Sequence, residues 1–345
     1  MGESAEGKRG RCDVARFAFA VLAAVATLVL LCLGGLVTSK GAGMAVPDWP
    51  TSFGYNMFFF PWSMMVGGVL YEHSHRLMGS LVGVLTTGLM VWIWWAEPRR
   101  WLRGAAAGAV IMVVIQGLLG GMRVVWAKDQ IGIIHAVLGQ AFFVLVGAIA
   151  LWSSGYWERV VSAARRVECG GTGPVGRAGL AVLVLVVMQL VLAATMRHAH
   201  RGLSIPDFPL AYGQIWPSLD EAALASINRL RGEALGLPET TAGLILLQLA
   251  HRLVAVAAVV AACGLFARAR RLRDGVGVAG WAGWILGLMA VQFVLGAWTV
   301  WSNKAADIAT AHMATGAILL AAVSLMLIVV ARLGMEGNAL EGGER

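Results

Sequence analysis

Seven histidines occur in the 345-residue chain, and four of them, His75, His135, His251 and His312, lie inside long apolar stretches. An imidazole in such surroundings is costly unless it is hydrogen-bonded or ligates a metal. Four places on from these histidines stand Gly79, Gly139, Ala255 and Gly316. Positions i and i+4 share a helix face, so a small residue there leaves a flat gap beside the imidazole, wide enough for the edge of a macrocycle. A bare zinc ion takes three or four close ligands and needs no apolar slot. One imidazole from each of two facing helices suits bis-histidine haem iron, and the sequence offers two such pairs: His75 with His135, and His251 with His312.

The pairs belong to an internal repeat. GAGMAVPDWPTSFG begins at Gly41 and HRGLSIPDFPLAYG at His200, so the two Pro-Asp-aromatic-Pro motifs, Pro47–Pro50 and Pro206–Pro209, lie 159 residues apart. His75 and His251 are 176 apart, as are Gln116 and Gln292, and His135 and His312 are 177 apart. Four landmarks in one order at a nearly constant spacing predict two tandem units. Each unit has an even number of spans, so both insert in the same orientation, as a parallel repeat about an axis along the membrane normal. The wider spacing after the first landmark places extra chain in the second unit's loop, where SLDEAALASINRLRGEALG reads as a short amphipathic helix.

The units differ at one chemically important position. Glu72 precedes His75 by three residues, which on a helix places the two within about 60° of each other; its counterpart 176 residues on is Gln248. Shape is kept while charge and acid–base capacity are lost, as expected if the first site does chemistry and the second only holds a haem. An i,i+4 ion pair with Arg76 is the plainer reading of Glu72, and the two are compatible. Arg76 and Arg252 directly follow a ligand histidine; near the membrane surface a guanidinium suits haem propionates or phosphate headgroups, or simply snorkels to the interface. Asp48 and Asp207, in the twin proline loops, read as turn caps. His73 faces away from His75, and His73, His198 and His200 receive no role.

These residues need elements to hold them. Hydrophobic residues make up 59% of the chain and charged ones 13%, against roughly 25% charged in soluble proteins. Eight apolar segments, at about 15–37, 64–95, 104–125, 131–153, 178–197, 242–267, 277–299 and 307–332, are long enough to span a bilayer. The expected fold is an all-α polytopic membrane protein: eight transmembrane helices as two pseudo-symmetric four-helix bundles in tandem. Residues 1–153 form the first half, 154–177 a basic and Gly-rich linker expected to be cytoplasmic and flexible, and 178–345 the second half. Basic residues gather at alternate span ends: Lys8, Arg9, Arg11 and Arg16; Arg99, Arg100 and Arg103; Arg159, Arg165, Arg166 and Arg177; Arg268, Arg270, Arg271 and Arg273. The positive-inside rule then puts both termini in the cytoplasm and the proline loops outside. A net charge of +8 distributed this way is no nucleic-acid footprint. The first apolar run ends without a small-residue cleavage site and reads as a retained span, and a bacterial cytoplasmic membrane is the expected location. Trp94, Trp95, Trp101, Trp126 and Trp301 fall at span ends, as in an aromatic belt. Cys12, Cys32, Cys169 and Cys263 have no metal-ligand spacing, and none lies in the long outer loops.

With Glu72, His75 and Arg76 as Glu-x-x-His-Arg, a Pro-Asp-Trp-Pro loop, and a histidine on every even span, the chain resembles the haem A synthase family over nearly its whole length. The resemblance implies oxidation of a ring methyl of haem O to a formyl group through successive hydroxylations, giving haem A for cytochrome oxidase. It implies that His75 and His135 flank the substrate haem, that Glu72 is catalytic, and that His251 and His312 ligate a haem B cofactor that relays electrons. Many bacterial members carry a loop cysteine pair; this chain resembles the type without one, which leaves the electron donor open. Haem O synthase and cytochrome oxidase assembly factors are the partners so implied, beside the lipid bilayer. The chief rival is a non-enzymatic di-haem b-type electron-transfer cytochrome, which explains four histidines but not a Glu72 confined to one half. A haem transporter fits less well, because the ligands cluster near one face rather than the midplane.

Overall fold

The computed structural model describes residues 5–165, 172–198 and 203–341. The side chains of Lys8, Arg9, Arg11, Cys12 and His198, and the residues Arg166, Cys169 and His200, lie outside what is described. Among the described residues the chain is all helical: α1 Ala5–Ser39, α2 Gly67–Ala96, α3 Arg100–Trp126, α4 Asp129–Trp152, α5 Gly155–Ala164, α6 Thr172–His198, α7 Glu221–Glu233, α8 Ala242–Ala269, α9 Val278–Trp301 and α10 Ala306–Glu341. Eight of these, all but α5 and α7, are long and apolar enough to cross a membrane, where a helix satisfies every backbone polar group within its own segment. This is a multi-pass membrane protein. The second span begins at Gly67 rather than 64, because two short 3-10 turns, Met57–Phe59 and Trp62–Met64, occupy the approach to it.

Packing places α2 and α4 diagonally, each against both α1 and α3; α8 and α10 are likewise each packed against both α6 and α9. The two sets meet through α1 and α4 on one side and α6 and α10 on the other, with Phe143, Ala317 and Ala321 buried along the seam. Val82, Ile93, Leu102 and Ile149 lie at the centre of the first set. Val182, Leu265, Ile285 and Met326 do so in the second.

Within the 154–177 linker, residues 155–164 form the helix α5. Ser154 caps α5 by accepting a hydrogen bond from the Trp157 amide, and Trp157, Val160 and Ala164 are buried, with α5 lying on α10. The amphipathic pattern of this segment was hidden by its arginines. The helix expected in the second unit's loop is present as α7, capped by Asp220. Its Arg231 is only 2% exposed and donates to the carbonyls of Leu203, Ser204 and Pro238 and to the Tyr212 hydroxyl, so α7 is locked onto the loop.

At the opposite end from the proline loops, two of the clustered arginines are neutralised. Glu97, buried just past α2, takes a two-point contact from Arg99 and lies 3.3 Å from Arg16. Burial pushes this carboxyl up, but the hydrogen bonds and charge of Arg99 outweigh it and hold Glu97 below its ordinary range. The belt tryptophans at 94, 95, 101, 126 and 301 are all exposed at their helix ends.

Candidate functional site

The two proline loops are copies in three dimensions. In each, a short turn closes on itself, Ser52 with Tyr55 and Ala211 with Gln214, and both aromatic–proline bonds are cis. Asp48 accepts from the amides of Phe53 and Gly54 and from the Thr51 hydroxyl; Asp207 accepts from Tyr212 and Gly213. The turn-cap expectation for both acids holds. The caps are needed because Phe53 and Tyr212 adopt left-handed backbone, with φ of 53° and 54°, which side-chain-bearing residues rarely do unaided. Burial acts to raise Asp48, but the bonds from Gly54, Thr51 and Phe53 prevail and hold its carboxyl at about 2.

These loops are tied to the histidine-bearing helices by the residues beside the ligands. Glu72 Oε2 accepts from the Val46 amide at 2.8 Å, and Oε1 accepts from Arg76 at 2.8 Å. Gln248 makes the corresponding contact twice over, accepting from the Ile205 amide at 2.8 Å and donating to its carbonyl at 3.1 Å. The carbonyl that Gln248 engages in the second loop has its counterpart in Val46, which is taken instead by Arg76 at 2.8 Å. Arg76 also donates to the carbonyls of Asp48 and Thr51, as Arg252 does to those of Asp207, Pro209 and Leu210. Both guanidinium groups therefore face protein acceptors. His73, unassigned from sequence, is 1% exposed, bonds Ser52 Oγ through Nδ1 at 3.1 Å and packs on Phe60. The equivalent pair in the second half is Ala211 and Leu249, both buried: a polar contact replaced by an apolar one.

The four candidate ligands lie within the first three turns of α2, α4, α8 and α10, at the end of the bundle that carries the proline loops. Nδ1 of His75, His251 and His312 is shielded from solvent without a hydrogen-bond partner. His251 and His312 lie within electrostatic reach of each other. Three of the imidazoles rest on glycines of the neighbouring helix. A Cβ at Gly34 would come within 2.9 Å of His75 Cε1, at Gly120 within 3.4 Å of His135 Cε1, and at Gly296 within 3.1 Å of His312 Cε1. Gly120 and Gly296 are repeat equivalents, 176 apart. The small residues at i+4 line the same region: Gly139 and Gly316 face the side chains of Gln116 and Gln292, each of which has a buried amide atom lacking a partner. Among the described residues no three His, Cys, Asp or Glu side chains converge as a bare-ion site. Orphaned Nδ1 atoms on three of the histidines, glycine beds and diagonal helices fit a bis-histidine macrocycle. The glycine beds escaped sequence reasoning because they sit on α1, α3 and α9, far along the chain from the histidines they serve.

The COX15-CtaA family, described as cytochrome oxidase assembly protein, matches residues 64–324, an interval that contains all four histidines and Glu72. The chain belongs to this family. Its relatives include the haem A synthase of Methylobacterium sp. strain 4-46, 26% identical over 94% of this chain and 93% of that protein. That of Symbiobacterium thermophilum is 30% identical over 80% and 83%. That of Alkalihalophilus pseudofirmus is 28% identical over 58% of this chain and 66% of the relative. The resemblance to the haem A synthase family is thus confirmed by whole-chain similarity and not only by the Glu-x-x-His-Arg motif.

Proposed function

We propose that the protein is a haem A synthase, an oxidoreductase that converts a ring methyl of haem O to a formyl group through hydroxylated intermediates and yields haem A. The observation that carries this reading is the set of interior histidines on diagonal helices of a chain in this family, with Nδ1 of His75, His251 and His312 shielded from solvent and lacking a hydrogen-bond partner. In our reading residues 1–153 and 178–345 are two pseudo-symmetric four-helix halves. His75 and His135 hold haem O; His251 and His312 hold haem B, which supplies one-electron transfer when bound.

The chain's own groups divide the remaining work. His75 and His135 fix the macrocycle from both sides, and Gly34 and Gly120 set how deeply each imidazole sits. Glu72, paired with Arg76, would stabilise positive charge developing on the substrate. Both of its oxygens are already engaged, so proton transfer would require Glu72 to release the Val46 amide or Arg76. Charge stabilisation asks for no such rearrangement, and we favour it. Gln248 offers shape without charge in the second half, as a site that only holds a cofactor requires.

The farnesyl tail of haem O favours entry from the lipid. We place the protein in a bacterial cytoplasmic membrane with both termini inside and the proline loops outside, where haem O synthase would deliver substrate and cytochrome oxidase assembly factors would receive product. The deciding experiment is co-expression with a haem O synthase, followed by extraction and mass-resolved chromatography of the bound haems. Haem A or its hydroxylated precursor is expected. Haem B alone, with haem O unchanged, would replace this reading by the di-haem electron-transfer cytochrome.

A further inference from the structure

The end of α1, the first loop and the α3–α4 turn enclose a cavity of about 160 Å³ lined by Thr38, Gly41, Gly43, Arg123, Lys128 and Asp129. Sites for whole organic ligands run to several hundred Å³, so this one fits a small polar group rather than a macrocycle. Arg123 and Lys128 bring two positive charges to it. Among the described residues neither makes a hydrogen bond or ion pair, and Arg123 Nε is shielded from solvent with no acceptor. Gly43 makes room for the guanidinium: a Cβ there would lie 2.7 Å from Arg123 Nη1. Asp129 is the one acid in the lining; it is exposed and lies in the first turn of α4, where it complements the helix dipole. Thr38 lies one turn beyond Gly34, on which His75 rests, and Arg123 one turn beyond Gly120, on which His135 rests, so the cavity sits about one helical turn from the first histidine pair.

The second half keeps the charges and moves one of them. Lys128 corresponds to Lys304 at the 176-residue spacing, whereas Arg123 corresponds to Thr299 and Thr38 corresponds to Arg197 at the 159-residue spacing. Each half therefore carries one lysine and one arginine here, with the arginine on its third spanning helix in one half and its first in the other. Arg197 is within electrostatic reach of both Lys304 and His312. Arg197, however, donates to the Gly35 carbonyl and the Ser39 hydroxyl of α1 and so ties the two halves together, whereas Arg123 has no such acceptor among the described residues.

We propose that Arg123 and Lys128 form a carboxylate-binding subsite for the propionates of the macrocycle held by His75 and His135. This rests on the haem reading of that histidine pair. Arg76 is a poor candidate for the task, because its terminal nitrogens already serve Val46, Asp48, Thr51 and Glu72. A forked guanidinium with a free Nε–H beside an ammonium matches a pair of carboxylates in both charge and geometry.

The test is a Soret-absorbance titration of the full-length purified protein with iron protoporphyrin IX and with its dimethyl ester, using His75→Ala to identify the first-half phase. In that phase the wild type should prefer the free acid by on the order of tenfold. Arg123→Ala combined with Lys128→Ala should bind acid and ester alike, and Arg123→Lys should recover part of the preference. An undiminished acid preference in the double variant overturns the proposal. So does equal loss of acid and ester binding that Arg123→Lys fails to restore, which would mark a purely structural arginine. Absence of any His75-dependent phase with either compound overturns the haem reading itself, a result distinct from the other two.

Discussion

Glu72 and Gln248 hold equivalent points of two equivalent loops by different chemistry: the carboxylate accepts one bond from the Val46 amide, whereas the carboxamide exchanges two with Ile205. In the second half an amide at this position anchors the loop; in the first half the second oxygen of Glu72 is committed to Arg76 instead.

In the first half both carboxylate oxygens accept, one from the Val46 amide and one from Arg76, so Glu72→Gln removes the charge and turns an NH2 against one of these donors. Thermal unfolding is expected to show a loss of about 1–3 kcal/mol with haem content retained, while haem A formed per protein falls by about 100-fold, the scale of losing one electrostatic stabiliser. Wild-type turnover in this variant would reduce Glu72 to a loop clamp.

The two arginines should differ in cost although they look alike. Arg76→Ala strands the Glu72 carboxylate, 5% exposed, without its cation, and is expected to destabilise by about 3–5 kcal/mol. Arg252→Ala leaves neutral Gln248 and loses hydrogen bonds to carbonyls and the stacking on Phe208, at a cost of about 1–2 kcal/mol. Parallel thermal or denaturant unfolding of the two variants checks the order; equal losses would contradict the charge argument.

Gly34→Ala and Gly296→Ala place a methyl against His75 and His312 respectively. Each should displace its imidazole and abolish the low-spin bis-histidine absorption of its own half while sparing the other. Gly83→Ala, with nothing within 4 Å of the added carbon, should leave both spectra unchanged and gain up to about 1 kcal/mol from helix propensity. Spectra of the three purified variants decide it.

Asp48 makes the first loop acid-sensitive. Its carboxyl sits at about 2 in the folded protein against an ordinary 3.8, so the folded state binds its proton less readily than the unfolded chain. The stabilisation is fully present above about pH 4 and disappears as pH falls towards 2. Protease sensitivity of the 48–56 segment should rise across that window, and Asp48→Asn should show the loosened loop already at neutral pH.

The helices were legible because the bilayer imposes a simple rule: a span must be apolar for some twenty residues, and charge gathers at its ends. The repeat spacing carried the histidine pairs and the twin loops, since Asp48 and Asp207 cap the same turn with the same neighbours. Other features followed no local rule. Helix α5 lies in a segment whose arginines conceal its apolar face, and Glu97 reads as one acid among many until Arg16 and Arg99 close on it. Arg76 and Arg252 suggest anion binding by position, yet their donors are satisfied by loop carbonyls 25 to 45 residues away in sequence, at Val46 to Thr51 and Asp207 to Leu210.

The sequence by itself determined the number of spans, the repeated motifs, the four interior histidines and the Glu72–Gln248 difference between the repeats, because residue type and spacing along the chain fix each of these. The tertiary structure alone decided which groups are spoken for. Whether Arg76 or Arg123 has donors to spare, and which glycine lies under which imidazole, depends on where diagonal helices bring distant backbone together. That arrangement follows from packing among all the spans and is written in no one stretch of the chain.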